Sequence, residues 1–352
     1  MSSLIANRIY LDHAATTPLR PEARAAMEEG FAIWANPSSP HAEGRKARAA
    51  LEDARARIKA SLGWDGELIF TSGASEALAI AVQRAKTGQE RVTRRIVSAV
   101  EHDAVFRAAP DAEVLPVTQG AAELSPIDGS VLFAMQHTNS ETGTIMYPFV
   151  KSEAIEAVRK AGGLVLADCS QSAGKQALPD ADMIVISAHK FGGPIGIGAL
   201  LVKDYAMLEP IGGHERGYRQ GTENLPGAMG MAAALEIAGF DQWHTSVEQQ
   251  LDFKACLYHG GEVFAPGFQC SYIHAVTHPT MSAQALLIRL DAMGFAVSAG
   301  SACSSGTLKK SRVLDAFGMD DEAASRTIRV SLGWNTTPEE LDRFAEAWAS
   351  LK

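Results

Sequence analysis

Two ionisable side chains follow apolar runs of the sequence in a way that suggests cofactor chemistry. Asp168 comes directly after Leu164–Ala167, and Lys190 follows Met183–Ile186 and precedes a glycine-rich stretch. A lysine at the end of a buried strand can lose its proton through desolvation and become a Schiff-base nucleophile. A nearby carboxylate suits the pyridinium nitrogen of pyridoxal phosphate, so the pair predicts that cofactor. The alternative is a surface lysine and a helix-capping aspartate.

Small polar residues at other strand ends could hold the phosphate of such a cofactor. Thr71–Glu76 follows an apolar run and precedes a predicted helix, where unpaired N–H groups and the helix dipole favour an anion. A plain helix N-cap is the alternative interpretation of this turn. The candidates for phosphate contact are Ala74, Ser75, Ser187 and His189. Because ligands bind beyond the carboxyl ends of parallel strands, we expect these groups to meet at one edge of a sheet.

Cys303 and Arg329 have sequence neighbours that suggest two further roles. Cys303 lies in the small, polar segment Ser298–Gly306, which is typical of a reactive thiol on a loop rather than of a core cysteine. Arg329 alternates with apolar residues on a predicted strand and could bind a carboxylate through two hydrogen bonds. An incidental loop cysteine and an arginine that covers a sheet face are the alternatives.

The elements that must position these residues are alternating strands and helices. Continuously apolar runs predict strands at 67–70, 95–100, 131–135, 164–167, 183–186 and 198–202, and helices are predicted at 75–84 and 152–161. Strands that are apolar throughout favour an α/β fold with a mainly parallel sheet covered by helices on both faces. The pattern weakens after about residue 240. We therefore predict a large domain over 10–240 and a smaller α+β domain formed by 1–9 with 241–352.

The composition argues against several classes of protein. Hydrophobic residues are 46% and charged residues 21% of the 352 residues, which is typical of a globular chain. Asp and Glu outnumber Lys and Arg by 41 to 32 without a basic stripe, so we expect no direct nucleic-acid binding. No apolar run is long enough to span a membrane and no signal peptide is recognised, which predicts a cytoplasmic location. The four cysteines form no C-x-x-C pair, which argues against a zinc site.

The motifs and their order resemble those of the cysteine desulfurases, which are pyridoxal-phosphate enzymes of fold type I in the class V aminotransferase group. The resemblance covers nearly the whole chain. It rests on YLDHAATTP at 10–18, NPSSPHAEG at 36–44, TSGASE at 71–76, SAHK at 187–190, GGHERGYRQGTEN at 212–224 and SACSSG at 301–306. Each segment alone is a weak signal, whereas their order along the chain is specific.

The resemblance implies a role for each residue that would contact the cofactor. Lys190 would bind pyridoxal 5'-phosphate covalently, Asp168 would pair with the pyridine nitrogen, and Gln171 would contact the ring hydroxyl. His102 would stack on the ring and move protons. The phosphate would be held by small and polar residues, which are Ala74, Ser75, Ser187, His189 and, from the partner subunit, Thr222.

The resemblance also implies the reaction and its partners. The substrate would be L-cysteine, whose carboxylate would bind Arg329, with Asn36 as a second contact. Its sulfur would pass to Cys303 as a persulfide while alanine leaves, and Lys190 and His102 would complete the catalytic set. The position of Thr222 implies a homodimer with shared sites. A sulfur-acceptor or scaffold protein would be a further partner, in iron–sulfur cluster assembly or tRNA thiolation.

The chain departs from the family pattern at a few positions. Where the family has two asparagines, this chain has Asn139 and Ser140. Because serine is shorter, the cofactor contact of the second asparagine is expected to pass to water or to Asn139. Ile195 and His13 stand where lysine and asparagine are common. Another reaction on the same cofactor, such as transamination or a selenocysteine lyase reaction, is the main alternative, and a non-catalytic regulator with this fold is the second. A thiol at Cys303 argues against a transaminase.

Overall fold

The computed structural model describes residues 8–117, 130–146, 152–299 and 311–351. The strands at 131–136, 164–168 and 183–187, in the middle of the central sheet, are buried along their length because nearly all of their residues are apolar. The strands in the described residues are β1 (Ile9–Tyr10), β2 (Glu67–Thr71), β3 (Lys86–Thr87), β4 (Glu90–Arg91), β5 (Arg94–Ser98), β6 (Glu113–Leu115), β7 (Val131–Gln136), β8 (Leu164–Asp168), β9 (Met183–Ser187), β10 (Gly198–Val202), β11 (Glu262–Phe264), β12 (Ile273–Thr277), β13 (Phe295–Ala296) and β14 (Thr327–Ser331).

Several helices begin or end at residues that favour such ends. They are α1 (Pro21–Ile33), α2 (Ala42–Leu62), α3 (Ala74–Arg84), α4 (Asp103–Ala108), α5 (Ser152–Lys160), α6 (Leu225–Glu236), α7 (Val247–Leu257), α8 (Ala283–Ala292), α9 (Arg312–Ala316), α10 (Asp321–Ser325) and α11 (Pro338–Ser350). Gly63 ends α2 in the left-handed conformation, and Thr337 and Glu340 form a capping box at the start of α11. Within the described ranges, no helix combines the length and the apolar character needed to cross a membrane.

A seven-stranded sheet in the order β2-β10-β9-β8-β7-β5-β6 forms the centre of the larger part of the molecule. β5, β6, β7, β8 and β9 pair in parallel, whereas β10 runs antiparallel to both β9 and β2. The prediction of a mainly parallel sheet in an α/β fold is therefore confirmed, with β10 as the exception. The connection from β9 to β10 is too short for the crossover that a parallel pair requires.

The carboxyl ends of β2, β5, β7, β8 and β9 lie at one edge of this sheet, because β2 and β9 are both antiparallel to β10. The residues that follow these ends are the polar segments that the sequence singles out. Asp168 itself is the last residue of β8, and Lys190 lies three residues beyond the end of β9. The sheet topology therefore delivers the candidate residues to a common edge.

Apolar cores cover both faces of the large sheet. Successive residues of β9 point to opposite faces, so Ile184 and Ile186 pack in the core with α1, α2 and α6, while Val185 packs in the core with α3 and α4. This alternation explains why the strand must be apolar throughout. The helices on both faces leave the strand ends as the accessible part of the sheet.

A separate core lies around the antiparallel sheet β11-β12-β14. It is built with residues of α7, α8 and α11, and it also includes Ile9 and Leu11 from the N-terminal segment. β1 pairs in parallel with β13, which ties the start of the described chain to its C-terminal part. The domain limits after residues 9 and 240 stay a prediction.

Candidate active site

A cavity of about 810 Å³ opens at the carboxyl edge of the large sheet. Its wall combines residues that follow five strands of that sheet with residues of the N-terminal segment and of β14. The sequence-predicted residues in this wall are Ala74, Ser75, His102, Ser140, Asp168, Gln171, Ser187, His189, Lys190 and Arg329. The structure therefore brings most of the candidate set into one space.

The turn between β2 and α3 lines the cavity, and the N–H group of Ser72 in this turn donates to the Glu76 side chain. Ser72–Ser75 lines the wall, and Gly73 precedes α3 with a φ of 154°, which residues with a side chain rarely adopt. A Cβ on Gly198 of the neighbouring strand would lie 2.8 Å from the Gly73 Cα, so the two backbones pack closely. The first N–H groups of an α-helix have no partner within the helix. This turn therefore offers donors and space to an anion.

Lys190 ends the 3₁₀ turn Ala188–Lys190 that follows β9. Its Nζ donates hydrogen bonds to the carbonyl oxygens of Ala14 at 2.6 Å and Ala15 at 2.8 Å. Burial and the charge of Arg329 lower the pKa of this amine to about 8, against the opposing effect of nearby carboxylates. An amine that is partly neutral near pH 8 can act as a nucleophile and as a proton acceptor.

Asp168 and Gln171, on either side of a short turn after β8, face the same space. Asp168 Oδ1 accepts hydrogen bonds from the Ser170 N–H at 2.9 Å and from the Ser170 hydroxyl at 2.5 Å, which fixes the carboxyl group. Gln171 Nε2 donates to the Ala14 carbonyl at 2.9 Å. Gln171 Oε1 is buried and has no hydrogen-bond partner among the described residues. Leaving such an atom unpaired is costly, so a ligand group is expected to contact it.

Two histidines of the wall are held as neutral rings. His102 caps α4: its Nδ1 accepts a hydrogen bond from the Ala104 N–H at 3.1 Å, which leaves the ring proton on Nε2. His189 Nδ1 lies 3.1 Å from the Thr16 hydroxyl. Burial lowers the pKa of His189 to about 4, and burial also lowers the pKa of His102 against the opposing charge of Asp168. Neither ring adds a positive charge at neutral pH.

Arg329, on β14, is the cationic side chain that this strand adds to the wall. Its Nη2 pairs with Asp12 Oδ1 at 2.8 Å, and its Nη1 donates to the Ser140 carbonyl at 2.9 Å. The residue is only 7% exposed, and Nε is buried without a hydrogen-bond partner among the described residues. A fixed guanidinium with spare donors suits the carboxylate of a small ligand.

Sequence comparison with known proteins decides the family. The Aminotransferase class-V family matches residues 9–344. The cysteine desulfurase of Cereibacter sphaeroides is 34% identical to this chain over 96% of the chain and 94% of the relative. The chain belongs to the cysteine desulfurases of class V.

Solved structures agree with this membership. A NifS-like protein has a TM-score of 0.84 and 28% identity, and the match covers 97% of this chain and 98% of that one. SspA in complex with cysteine has a TM-score of 0.74 and 27% identity, over 94% of this chain and 100% of that one. The fold type I assignment is therefore confirmed together with the family.

Pyridoxal phosphate is the cofactor of the cysteine desulfurases of class V, and the cavity fits it. The turn at Ser72–Ser75 has the donors and the room that a phosphate needs. The unpaired Gln171 Oε1 is placed to contact a polar group of the ring, and the fixed Asp168 carboxyl would hold the ring nitrogen. Lys190 supplies the amine that would bind the aldehyde carbon.

Asn139 lies outside the cavity wall and has a structural role in this desulfurase. Its Oδ1 accepts hydrogen bonds from the N–H groups of Glu141 and Thr142 at 2.8 and 2.9 Å, and its Nδ2 donates to the Val100 carbonyl. Asn139 is fully buried, and these hydrogen bonds shape the turn after β7. Ser140 is the residue of this pair that lines the cavity, and the predicted contact of Asn139 with the cofactor stays a prediction.

Asn36 and Thr222 are exposed and lie outside the cavity wall of this chain. The Asn36 side chain accepts a hydrogen bond from the Ser38 N–H at 2.8 Å, and its predicted contact with the substrate stays a prediction. The expectation for Thr222 concerns a partner subunit and stays a prediction. Cys303 lies outside the described residues, and Ser311, which follows its segment, lines the cavity.

Glu101 is a member of the wall that the sequence analysis did not select. Its Oε1 accepts hydrogen bonds from the Ser98 hydroxyl and from the Gln136 N–H at 2.9 Å. Burial raises the pKa of this carboxyl to about 8, so it is mostly protonated at neutral pH. Its place at a strand end, directly before His102, was a signal that could have identified it.

Arg312 is a second such residue, and it anchors the described chain that follows the cysteine segment. Its Nη2 donates to the Glu101 carbonyl at 2.7 Å and pairs with Asp103 at 3.1 Å. Its guanidinium lies 3.8 Å from the centre of the Phe106 ring. No spacing or motif connects Arg312 with α4 in the sequence, so only the structure identifies it.

Proposed function

We propose that this chain takes sulfur from L-cysteine, releases L-alanine and carries the sulfur as a persulfide on Cys303. The observation that carries the proposal is the Lys190 amine, which has a lowered pKa and lies in one cavity with the Asp168 carboxyl and the Arg329 guanidinium. This set can bind an amino acid by its carboxylate and remove its α-proton. The membership of the cysteine desulfurases supports cysteine as the amino acid.

Each residue of the site has a separate role in the proposed reaction. Pyridoxal phosphate, when bound, supplies an electron sink for charge at the substrate α-carbon. Arg329 binds the substrate carboxylate, Lys190 Nζ accepts the α-proton, and His102, neutral and with its proton on Nε2, moves protons at the ring. The Cys303 sulfur then bonds to the substrate sulfur as the carbon–sulfur bond breaks. One sulfur atom moves from cysteine to the thiol, so alanine and a persulfide form without an external oxidant or reductant.

The assembly and the destination of the sulfur are part of the same proposal. We propose a homodimer in which the exposed Thr222 of one subunit reaches the phosphate in the site of the other. The large domain over 10–240 would bind the cofactor, and the small domain would carry the cysteine segment. The persulfide would pass to an acceptor or scaffold protein of iron–sulfur cluster assembly or tRNA thiolation, in the cytoplasm.

The test is incubation of the cofactor-loaded protein with L-cysteine, with alanine and sulfide both quantified, with and without a reductant. The Cys303→Ala variant is expected to keep the absorbance of the bound cofactor and to stop releasing alanine. Cys256→Ala is the matched control, because Cys256 is a partly buried free thiol on α7 and lies outside the cavity wall. Full alanine release by Cys303→Ala would overturn the proposal.

A further inference from the structure

A short N-terminal segment, residues 12–15, holds three polar side chains of the cavity. Asp12 pairs with Arg329 at 2.8 Å, the Ala14 carbonyl accepts from both Lys190 and Gln171, and the Ala15 carbonyl also accepts from Lys190. Only the Asp12 contact is made by a side chain of the segment. Asp12 does not line the cavity, and it reaches the site in two ways. It pairs with Arg329, and its charge opposes the lowering of the Lys190 pKa that burial and Arg329 cause.

Arg329 has a second carboxyl group within its electrostatic reach. Burial raises the pKa of Glu141, and the Ser311 hydrogen bond and the charge of Arg329 oppose that rise. Glu141 is engaged elsewhere, because its Oε2 accepts a hydrogen bond from the Ser311 hydroxyl at 2.6 Å. Asp12 and the Ser140 carbonyl bind the two terminal nitrogens of Arg329, which fixes the plane of the guanidinium. Without Asp12, Glu141 would compete for the same cation.

We propose that Asp12 is a positioning residue that holds the Arg329 guanidinium in the orientation that binds the α-carboxylate of the substrate. The inference rests on the proposed function, because it takes an amino acid as the ligand of Arg329. A buried arginine that loses one of two fixed partners turns toward the remaining carboxyl group, and its free donors then miss the substrate. The orientation of Arg329 that Asp12 holds therefore favours ligands that carry a carboxylate.

The experiment compares two amines as ligands of the cofactor-loaded protein, followed by the change in cofactor absorbance. L-cysteine carries the carboxylate, and cysteamine has the same amine and thiol without it. Asp12→Asn is expected to weaken cysteine binding about tenfold, and Asp12→Ala more, while cysteamine binding stays within about twofold of the original. In turnover, KM for cysteine should rise much more than kcat falls.

Asp180→Asn is the matched control, because it makes the same change in an exposed aspartate that pairs with Arg159 at 2.6 Å away from the cavity. It should leave both ligands unaffected. Cysteine binding that is unchanged or tighter in both Asp12 variants would overturn the proposal, and so would an equal loss of cysteamine binding. Failure of the proposed function is a separate result: the unaltered protein would release no alanine, whereas the two binding measurements would still report on Asp12.

Discussion

The two ends of the cavity are built in different ways. The cofactor end consists of residues at or just beyond the ends of strands of the large sheet, namely Ser72–Ser75, Asp168, Gln171, Ser187 and Lys190. The carboxylate end consists of Ser140 and Arg329, with Asp12 bound to Arg329 from outside the cavity wall. These residues come from three distant parts of the chain and meet at the Arg329 side chain. Sheet topology therefore fixes the first end, and one ion pair with one hydrogen bond fixes the second.

This difference predicts different responses to mutation. At the cofactor end, the backbone of a buried sheet keeps neighbouring groups in place when one side chain is changed, so the loss is confined to the chemistry of that group. At the carboxylate end, replacing one side chain frees the side chain to which it is bound, as Asp12 is bound to Arg329. We therefore expect losses in the chemical step at the first end and losses in substrate affinity at the second. The variants below are ordered by the size of the expected effect.

Lys190→Ala is expected to have the largest effect. Removing the amine should lower alanine release by a factor on the order of 10³ or more, because both the covalent link and the proton acceptor are lost. Borohydride treatment followed by peptide mapping should no longer fix the cofactor to the protein. The matched control is Lys203→Ala, since Lys203 is a strand-end lysine paired with Asp180 and Asp182 outside the cavity. A cofactor adduct on any other lysine of the unaltered protein would contradict the assignment.

The cofactor end could be predicted from the sequence because its geometry follows from order along the chain. Apolar strands that alternate with helices form a parallel sheet, and the residue types after each strand then share one edge. Asp168 and Lys190 follow from this pattern, whereas the role of Gln171 follows from the family resemblance. The antiparallel direction of β10 is not predicted by the sequence. It leaves these groups at one edge of the sheet, because β2 and β9 lie on either side of β10 and both run antiparallel to it.

Asp168→Asn should have the next largest effect. Together with its control, it distinguishes a loss of kcat from a loss of folding stability. Loss of the charge that would hold the ring nitrogen should lower kcat about 100-fold with the bound cofactor retained. Asp182→Asn is the matched control: both aspartates are 8% exposed, but Asp182 accepts from the Val165 N–H and from Lys203 outside the cavity wall. Asp182→Asn should lower the thermal midpoint and leave kcat within about twofold. Equal losses of kcat in the two variants would mean that Asp168 acts through the fold alone.

The carboxylate end could be predicted only in part, because no local pattern encodes its contacts. Arg329 stood out as a charge on an apolar strand, but its partner Asp12 is 317 positions away and looked like part of a motif. Asn139 is another side chain whose contacts no spacing in the sequence specifies. The backbone N–H groups of its own turn donate to its side-chain oxygen. Side-chain pairing across distant segments depends on packing, which sequence spacing does not specify.

Lys175→Met should have the smallest effect on the reaction. It tests whether the cofactor end and the carboxylate end keep their function when a buried lysine outside the cavity wall is replaced. Lys175 donates from Nζ to the Gln171 carbonyl at 3.1 Å and lies 4.8 Å from the centre of the Tyr272 ring, outside the main cavity wall. Burial lowers the pKa of its amine to about 7. The folded protein therefore binds this proton less readily than the unfolded chain. As the pH falls from about 10 to 7, the unfolded chain gains the proton first and the folded state loses stability relative to it.

Lys175→Met removes this titration, so its stability relative to the unaltered protein should rise as the pH is lowered from 9.5 to 7, by at most about 1.4 kcal/mol per pH unit. Thermal denaturation of both proteins at these two pH values measures the difference. Lys203→Met, at an exposed site outside the cavity wall, is the matched control. A pH-independent difference for Lys175→Met would mean that the amine is charged in the folded protein, and a loss of cysteine binding would mean that Lys175 supports the site itself. If only the stability changes, neither the cofactor end nor the carboxylate end depends on the charge of Lys175.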